Sequence, residues 1–169
     1  MRPLVLNVAV TLDGYIEGPN GEIDWCVTDQ DYGMTAFLER CDGLLMGRKS
    51  YEALLTYDAN AWPDKERYVF SRTLKEMNGP GRLFGGDLVA EVQRLKQAPG
   101  KAIWLFGGAD VLTQCMEAGL VDELVLSIHP LLLGGGVPLH QRIARTPLRL
   151  LDNVTYDSGL VQLTYAVVR

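Results

Sequence analysis

The sequence predicts an α/β fold in which a central, mostly parallel sheet is flanked by helices and ends in an antiparallel C-terminal hairpin. Segments of strand length that are rich in Val and Leu alternate along the chain with segments of helical periodicity. Asp157-Ser158-Gly159 separates the last two strand-like segments, and so short a turn favours a hairpin. The chain has 169 residues, of which 47% are hydrophobic and 22% charged, and this suits one compact domain over residues 1–169.

Changes of periodicity bound the elements of the N-terminal half. The first apolar segment, PLVLNVAVTL, is typical of a buried strand, and Met34, Phe37 and Leu38 have the spacing of one helix face. In order, the predicted elements are a strand at 3–12, a helix at 31–40, a strand at 43–47, a helix at 48–55 and a strand at 66–70.

The C-terminal half continues the same alternation. Leu88, Val92 and Leu95 share one face of a predicted helix, and Gly119 is typical of the residue that follows the end of another. The predicted elements are a helix at 87–97, a strand at 101–106, a helix at 109–118 and strands at 121–128, 148–156 and 159–168.

The composition argues against several classes of function. A net charge of −5 disfavours a nucleic-acid-binding surface, which needs clustered Lys and Arg. Three widely spaced cysteines without a C-x-x-C pair, and only two histidines, predict neither a disulfide framework nor a metal site. The first residues lack the continuous apolar core of a signal peptide, and no apolar run approaches the roughly 20 residues that span a bilayer. We therefore expect a cytoplasmic protein without nucleic-acid or membrane partners.

A buried strand, a glycine turn and a helix start follow one another twice, in LLMGRKSYE and in IWLFGGADVL. In open α/β sheets such turns lie beyond the carboxyl ends of strands, where helix N-termini attract phosphate groups. Gly47 permits close approach, Arg48 and Lys49 add positive charge, and Ser50 offers a hydroxyl. Alternatively, the two cations are solvated residues of the first turn, although cations there oppose the helix dipole. Gly107-Gly108 alone is also compatible with an ordinary tight turn, and neither segment is a GxGxxG or Walker A motif.

Ser71-Arg72 follows a third predicted strand, whose end should lie at the same edge of the sheet. At that edge Arg72 is suited to bind a second phosphate. This favours NADPH over NADH as the cofactor, because the 2′-hydroxyl of NADH is more often bound by an acidic residue. The alternative is a surface arginine paired with a nearby carboxylate.

The ordered motifs resemble the dihydrofolate-reductase-like superfamily and, within it, the riboflavin-biosynthesis-reductase C-terminal-domain family. Between residues 4 and 168 the chain contains, in the family's order, VAVTLDGYIEGPNGEIDW, DGLLMGRKSYE, VFSRTL, IWLFGGADVL and LVDELVLSIHPLLLGGGVPL. The resemblance implies the three-layer dihydrofolate-reductase-like fold, a reductase activity and NADPH as cofactor. The H-x-E…P-C-x-x-C signature of the deaminase that is often fused to such reductases is absent, so we expect a stand-alone member.

The resemblance also implies roles for individual residues around the cofactor. Gly47, Arg48, Lys49 and Ser50 would contact its phosphates, and Ser71 and Arg72 would flank the 2′-phosphate. The residues that would close over the pyrophosphate and nicotinamide are Gly107, Gly108, Ala109 and Val111. Relatives often have a cis peptide at the position of Gly107-Gly108.

The substrate is expected between the end of the first strand and the helix at 31–40. Its predicted wall consists of Ala9, Asp13, Gly14, Trp25 and Asp31. In dihydrofolate reductases a carboxylate early in this helix helps protonate the substrate, and Asp31 has the matching position. The alternative role for Asp31 is that of a helix N-cap, which Asp commonly fills, and Asp24 and Asp29 are rivals for the catalytic role. Trp25 is followed by Cys26, whereas dihydrofolate reductases usually have a tryptophan-proline pair there.

The expected function is therefore an NADPH-dependent reductase that transfers hydride to a small heterocyclic substrate. Candidate substrates are dihydrofolate or another pterin, and the ribosylaminopyrimidine phosphate of riboflavin biosynthesis. The alternative is a non-catalytic NADPH-binding or dimerisation module on the same scaffold. A homodimer is expected, because relatives dimerise through their C-terminal strands and because SIHPLLL at 127–133 is apolar. We interpret Gly134-Gly135-Gly136 as a flexible turn near that subunit contact.

Overall fold

The computed structural model describes residues 1–79 and 81–169. In the first part of the chain the elements are β1 (Leu4–Thr11), β2 (Tyr15–Glu17), α1 (Met34–Glu39), β3 (Cys41–Gly47), α2 (Arg48–Asp58), β4 (Glu66–Phe70) and β5 (Arg82–Phe84). They are followed by α3 (Leu88–Gln97), β6 (Ala102–Gly107), α4 (Ala109–Glu117), β7 (Glu123–His129), β8 (Val137–Pro138), β9 (Leu148–Thr155) and β10 (Val161–Val167). No helix in the described part of the chain combines the length and the apolar character needed to cross a membrane.

Eight of these strands form one sheet in the order β5-β4-β3-β6-β1-β7-β10-β9. All pairings from β5 through β7 are parallel, and β10 pairs antiparallel with both β7 and β9. A two-stranded ribbon, β2 with β8, lies outside this sheet. The predicted fold class, a mostly parallel sheet with an antiparallel C-terminal hairpin, is confirmed.

Helices cover both faces of the sheet and enclose a separate apolar core on each. On one face, Val92 of α3 and Cys115 of α4 are 0% exposed and pack with Leu105 of β6. On the other face, Leu54 of α2 and Phe37 of α1 pack with side chains of β3 and β6. Burying each large apolar side chain contributes about 1.5–3 kcal/mol, so the two cores hold the three layers together.

The predicted helices and strands all occur, with ends that differ by at most three residues. The largest differences are at α1, which begins at Met34 rather than 31, and at α2, which continues to Asp58 rather than 55. The sequence analysis missed β2, β5 and β8, because two or three residues are too few to establish a periodicity.

A buried ion pair joins several chain segments at the amino end of the parallel strands. Lys96 of α3 is 4% exposed, and its Nζ donates to the Leu120 carbonyl at 2.5 Å and to the Asp122 carboxylate. Asp122 also accepts from the Leu4 N–H at 2.7 Å and from Arg169 at 2.9 Å. Partial burial opposes the ionisation of Asp122, but hydrogen bonds from Lys96, Leu4 and Arg169 outweigh it and lower the pKa of this carboxyl.

We predict that Asp122→Asn lowers the free energy of unfolding at pH 7 by about 2–4 kcal/mol, because it leaves the buried Lys96 ammonium without its counter-charge. Since the pKa of Asp122 is lowered in the folded state, its contribution is fully present above its unfolded pKa and is lost as the pH falls through the folded value. Urea unfolding of wild type and variant, from pH 7 downwards, measures both effects.

Glu76→Gln removes an exposed carboxylate and is the matched control. An Asp122→Asn variant as stable as Glu76→Gln, or a stability difference that does not shrink in acid, would contradict this account of the ion pair.

Candidate functional site

The ends of three neighbouring strands surround a cavity of about 440 Å³ at the carboxyl edge of the sheet. Because β4, β3 and β6 are adjacent and parallel, the turns that follow them meet there. Nine of the ten residues predicted to bind the cofactor line this cavity: Gly47, Arg48, Lys49, Ser50, Ser71, Arg72, Gly108, Ala109 and Val111. The tenth, Gly107, lies directly behind Ser50, whose Oγ would be 3.3 Å from a Cβ at position 107.

The glycines let the two turns approach each other closely. Gly108 has a φ of +98°, and a Cβ there would lie 3.7 Å from the backbone nitrogen of Gly47. A Cβ at Gly47 would lie 3.3 Å from Val111 Cγ2. Larger residues would fill the space between the turns, so glycine preserves the cavity. The Gly107-Gly108 bond is trans, which differs from the cis peptide that the resemblance implied.

Two helices begin at this cavity with their backbone N–H groups uncapped by side chains. Gly47 precedes α2 and Gly108 precedes α4, and neither position supplies a side-chain hydrogen bond. Free N–H groups and aligned peptide dipoles at both ends create a positive potential that suits a phosphate or pyrophosphate. Arg48 is held by Glu52 at 2.9 Å, but such an exposed i,i+4 pair is worth only about 0.3–0.5 kcal/mol. An anion in the cavity can therefore compete for the guanidinium.

The third turn is shaped by Ser71. Its hydroxyl oxygen accepts from the N–H groups of Thr73 at 3.2 Å and Leu74 at 2.9 Å, and the residue is 6% exposed. Ser71 therefore fixes the turn, and Arg72 is left exposed at the cavity. Within residues 1–79 and 81–169, no carboxylate lies within 4.0 Å of the Arg72 guanidinium, which disfavours the alternative of a surface ion pair.

The sequence analysis missed eight further residues of the cavity wall. They are Ile16, Glu17, Phe70, Thr73, Asp110, Gln114, Val137 and Gln141. Gln141 donates its side-chain N–H to Asp110 at 2.6 Å and its backbone N–H to Thr113 Oγ1 at 3.1 Å, which fixes this wall to α4. Gly136 is the residue that could have indicated this wall from the sequence, because the chain needs a glycine there: a Cβ would lie 2.1 Å from the Glu17 carbonyl oxygen. The glycine run is thus the place where β8 crosses close to β2, whereas its sequence indicates only a flexible turn near a subunit contact.

Asp13, which was predicted to contact substrate, is engaged in holding two loops together. One oxygen accepts from Thr11 Oγ1 at 2.6 Å and from the Leu133 N–H at 3.0 Å, and the other accepts from the Gly134 N–H at 2.8 Å. The hydrogen bond from Thr11, together with the two backbone N–H groups, lowers the pKa of this carboxyl to about 2. Asp13 is consequently ionised at neutral pH and is no proton donor.

The carboxylate of Asp31 is exposed and lies at the start of α1. Its Oδ1 accepts from the Thr35 N–H at 3.1 Å and from Thr35 Oγ1 at 2.6 Å. The formal N-cap of α1 is Gly33, so Asp31 stabilises the first turn from two residues further upstream. Its rival Asp29 accepts a hydrogen bond from the Tyr32 hydroxyl at 2.6 Å.

The other predicted wall residues lie on β1 and on the loop that follows it. Ala9 is half-buried in β1, and Gly14, with a φ of +90°, makes the turn after that strand. Trp25 packs edge-on against His129, with ring centroids 5.1 Å apart.

His129 is 2% exposed and holds this loop on the sheet. Its Nε2 accepts from the Val27 N–H at 3.2 Å, and Nδ1 lies 2.9 Å from the Ser127 carbonyl oxygen, so the ring hydrogen belongs on Nδ1. His129 thus acts as a hydrogen-bonding residue at the end of β7.

Comparison with known proteins relates the chain to one sequence family and to one fold. The chain is 44% identical to YyaP of Bacillus subtilis, an uncharacterised protein, over 97% of this chain and 94% of that one. A solved structure from Shewanella sp. PV-4, provisionally described as a riboflavin biosynthesis protein, matches with a TM-score of 0.87, 32% identity and full coverage of both chains. Dihydrofolate reductase from Enterococcus faecalis, in complex with NADP(H) and RAB-propyl, has the same fold, with a TM-score of 0.70 and 17% identity over 99% of this chain and 97% of that one.

The family model of the RibD C-terminal domain matches residues 2–162. The match covers almost all of the sheet and every residue of the cavity described above. The chain therefore belongs to the RibD C-terminal domain family, whose fold is that of the dihydrofolate-reductase-like reductases.

Proposed function

We propose that this protein is an NADPH-dependent oxidoreductase that transfers hydride to a small heterocyclic substrate. The observation that carries the proposal is the cavity at the ends of β3, β4 and β6, where two uncapped helix N-termini meet three cationic side chains. The Enterococcus faecalis enzyme with the same fold was solved with NADP(H), which supports the choice of cofactor.

The residues present fit a dinucleotide with an additional phosphate. The N–H groups after Gly47 and Gly108, with Arg48 and Lys49, suit the pyrophosphate, and Arg72 suits the 2′-phosphate. When bound, the nicotinamide supplies the hydride. The chain contributes orientation and exclusion of water, which is what hydride transfer mainly requires.

The proposed substrate class is an electron-poor heterocycle such as a pterin or a ribosylaminopyrimidine phosphate. The second of these is favoured by the likeness to the Shewanella protein described for riboflavin biosynthesis. Asp31 would pass a proton, through water, to the nitrogen that is reduced. Its exposed position leaves it accessible to a substrate that approaches α1.

We predict that wild type binds NADPH much more tightly than NADH, and that Arg72→Ala weakens NADPH about 10-fold to 100-fold while NADH changes little, because only the 2′-phosphate contacts Arg72. Arg48→Ala should weaken both nucleotides. Quenching of tryptophan fluorescence during titration measures each dissociation constant.

The matched control is Arg94→Ala, which removes an exposed arginine of α3 that is paired with Glu91. Failure of wild type to bind either nucleotide would refute the proposed function. Tight NADPH binding without oxidation by dihydrofolate, other pterins or pyrimidines would instead favour the non-catalytic NADPH-binding module.

For the proton donor, we predict that Asp31→Asn lowers kcat/KM about 100-fold or more on an identified substrate, while Tm changes little. Asparagine keeps an oxygen for the Thr35 N–H, so the start of α1 should persist. Asp24→Asn and Asp29→Asn are assayed in parallel. Unchanged kcat/KM in Asp31→Asn would leave this carboxylate only its role in stabilising α1, and a loss confined to one of the other variants would assign the donor there.

We also propose that the protein forms a homodimer through the C-terminal hairpin. Every residue of the edge strand β9 is exposed, and Leu148, Leu150 and Leu151 are 41%, 48% and 45% exposed. A long edge strand with apolar side chains is a surface that a second chain can cover. The apolar segment 127–133 contributes less than expected, because Ser127 and His129 lie within β7 and are buried; Leu132, at 72%, is exposed.

We predict that sedimentation equilibrium at micromolar concentration gives the mass of a dimer, and that Leu150→Glu shifts the equilibrium towards monomer because it places a charge in an apolar contact. Tyr57→Glu, at an exposed aromatic of α2, is the control. A monomeric wild type would rule out this dimer, and dimers that persist equally in both variants would place the contact elsewhere.

A further inference from the structure

One carboxylate in the wall of the cofactor cavity has no partner in the described part of the chain. Glu17 lines the cavity, but no side chain or backbone N–H there donates a hydrogen bond to its carboxylate, and no cation lies within 4.0 Å. Its oxygens are not sealed inside the protein, since the buried side-chain atom without a partner among the described residues is Nη1 of Arg67. The other carboxylate of the wall, Asp110, accepts from Gln141 at 2.6 Å. Glu17 is therefore the acidic group that is accessible to a ligand.

A bulge in the ribbon of β2 and β8 directs Glu17 into the cavity. Tyr15 pairs with Pro138. Two residues further along β2, Glu17 pairs with Val137, which is only one residue back along β8, so β2 contains one extra residue, Ile16. Successive side chains of a regular strand point to opposite sides, whereas Ile16 and Glu17 both line the cavity. The bulge thus turns the carboxylate towards the space that a ligand would occupy.

Two backbone contacts fix the position of this ribbon. A Cβ at Gly136, where φ is +145°, would lie 2.1 Å from the Glu17 carbonyl oxygen, so a larger residue would push the two strands apart. The Tyr15 N–H donates to Thr11 Oγ1 at 3.0 Å, which holds the start of β2 at the end of β1. Glu17 therefore lies on the side of the cavity that belongs to β1.

The charged groups of the cavity follow the order of the strands. Arg72 comes after β4, and the uncapped helix starts at Gly47 and Gly108 come after β3 and β6. Glu17 lies beside β1, the next strand after β6. Neighbouring strands are about 4.8 Å apart, so the carboxylate lies about one strand spacing beyond Gly108 and about three from Arg72. The cavity is cationic over its turns and acidic at this end.

A carboxylate in a phosphate-binding cavity is unfavourable unless the ligand offers it hydrogen-bond donors. An ionised carboxylate accepts hydrogen bonds and cannot donate them. In the proposed cofactor, the group that follows the pyrophosphate on the side away from the adenosine is a second ribose. Its 2′- and 3′-hydroxyls are two adjacent donors, and acidic side chains bind ribose hydroxyls in the dinucleotide sites of other α/β folds.

We infer that Glu17 binds the ribose of the nicotinamide nucleotide by accepting hydrogen bonds from its 2′- and 3′-hydroxyls. This inference rests on the proposed function, because it takes the cavity as the cofactor site, and it adds a residue that positions the half of the cofactor that carries the hydride. Arg72 selects the 2′-phosphate at one end, and Glu17 holds the ribose at the other. Together the two side chains give the dinucleotide one direction along the sheet.

The test compares the binding of three ligands by calorimetry. They are NADPH; 2′-phospho-ADP-ribose, which lacks the nicotinamide; and 2′-phospho-ADP, which also lacks the second ribose. We expect Glu17→Ala to raise the Kd of NADPH and of 2′-phospho-ADP-ribose about tenfold, as for the loss of a hydrogen bond to a charged group. The Kd of 2′-phospho-ADP should stay the same or fall, because the variant removes a negative charge near the phosphates. NADH should be weakened by the same factor as NADPH, unlike in Arg72→Ala.

Two further variants separate binding from structure. Glu17→Gln keeps the size of the side chain and one acceptor oxygen, so it should weaken NADPH less than Glu17→Ala does. Glu117→Ala removes an exposed carboxylate at the end of α4 and should behave as wild type. Thermal melts of each variant exclude unfolding as the cause.

The outcomes also distinguish this inference from the proposed function. If wild type and Glu17→Ala bind 2′-phospho-ADP-ribose equally, the inference is overturned and the cofactor assignment stands. A loss of affinity that 2′-phospho-ADP shares overturns it as well, because the effect then extends to the whole cavity, and a loss confined to NADPH places Glu17 at the nicotinamide instead. Failure of wild type to bind NADPH and both fragments refutes the proposed function and this inference together.

Discussion

The parallel pairing of β3 with both β4 and β6 is the constraint on which the candidate site depends. The register sets Gly47 beside Phe70 and Met46 beside Gly107, so the three turns that follow these strands begin at nearly the same height. A shift of one residue in the pairing register of these strands would move the side chains of Leu45 and Tyr68 to the opposite face of the sheet, into the other core. It would also separate the turns. The two apolar cores therefore fix the positions of the helix N-termini, and Phe70 and Val111 belong both to a core and to the cavity wall.

The region where the substrate is expected is built in another way, from loops whose polar groups hydrogen-bond one another. The Asp13 carboxylate accepts a hydrogen bond from the Gly134 N–H, and His129 accepts one from the Val27 N–H. Asp31 accepts one from the Thr35 N–H. None of these groups is arranged as a nucleophile with a base. Burial, and to a lesser extent the charge of Asp24, raises the pKa of the nearby Cys26 thiol to about 11, so a thiolate is absent at neutral pH. Such an arrangement is compatible with the proposed hydride transfer, which needs orientation and a proton donor.

Local patterns were sufficient to predict the main sheet and most of the residues that line its cavity. A strand, a glycine turn and a helix start are adjacent in sequence, so LLMGRKSYE and IWLFGGADVL indicated the cavity directly. Contacts between distant segments could not be predicted: 121 residues separate Asp13 from Gly134, and 31 separate Asp110 from Gln141.

The C-terminal hairpin helps to build the region where the substrate is expected, although it forms the far edge of the sheet. Gln162 of β10 donates to the Tyr32 carbonyl at 3.1 Å and to Ser127 Oγ at 3.2 Å. The Tyr32 hydroxyl also hydrogen-bonds Ser158 of the hairpin turn at 2.9 Å. Tyr32 has a φ of +49°, and it directly follows Asp31 in the chain. Since the hairpin holds Tyr32 in this conformation, it also orients the backbone that presents Asp31 at the start of α1. A proton donor at that position would depend on a strand pair that makes no contact with the cofactor cavity.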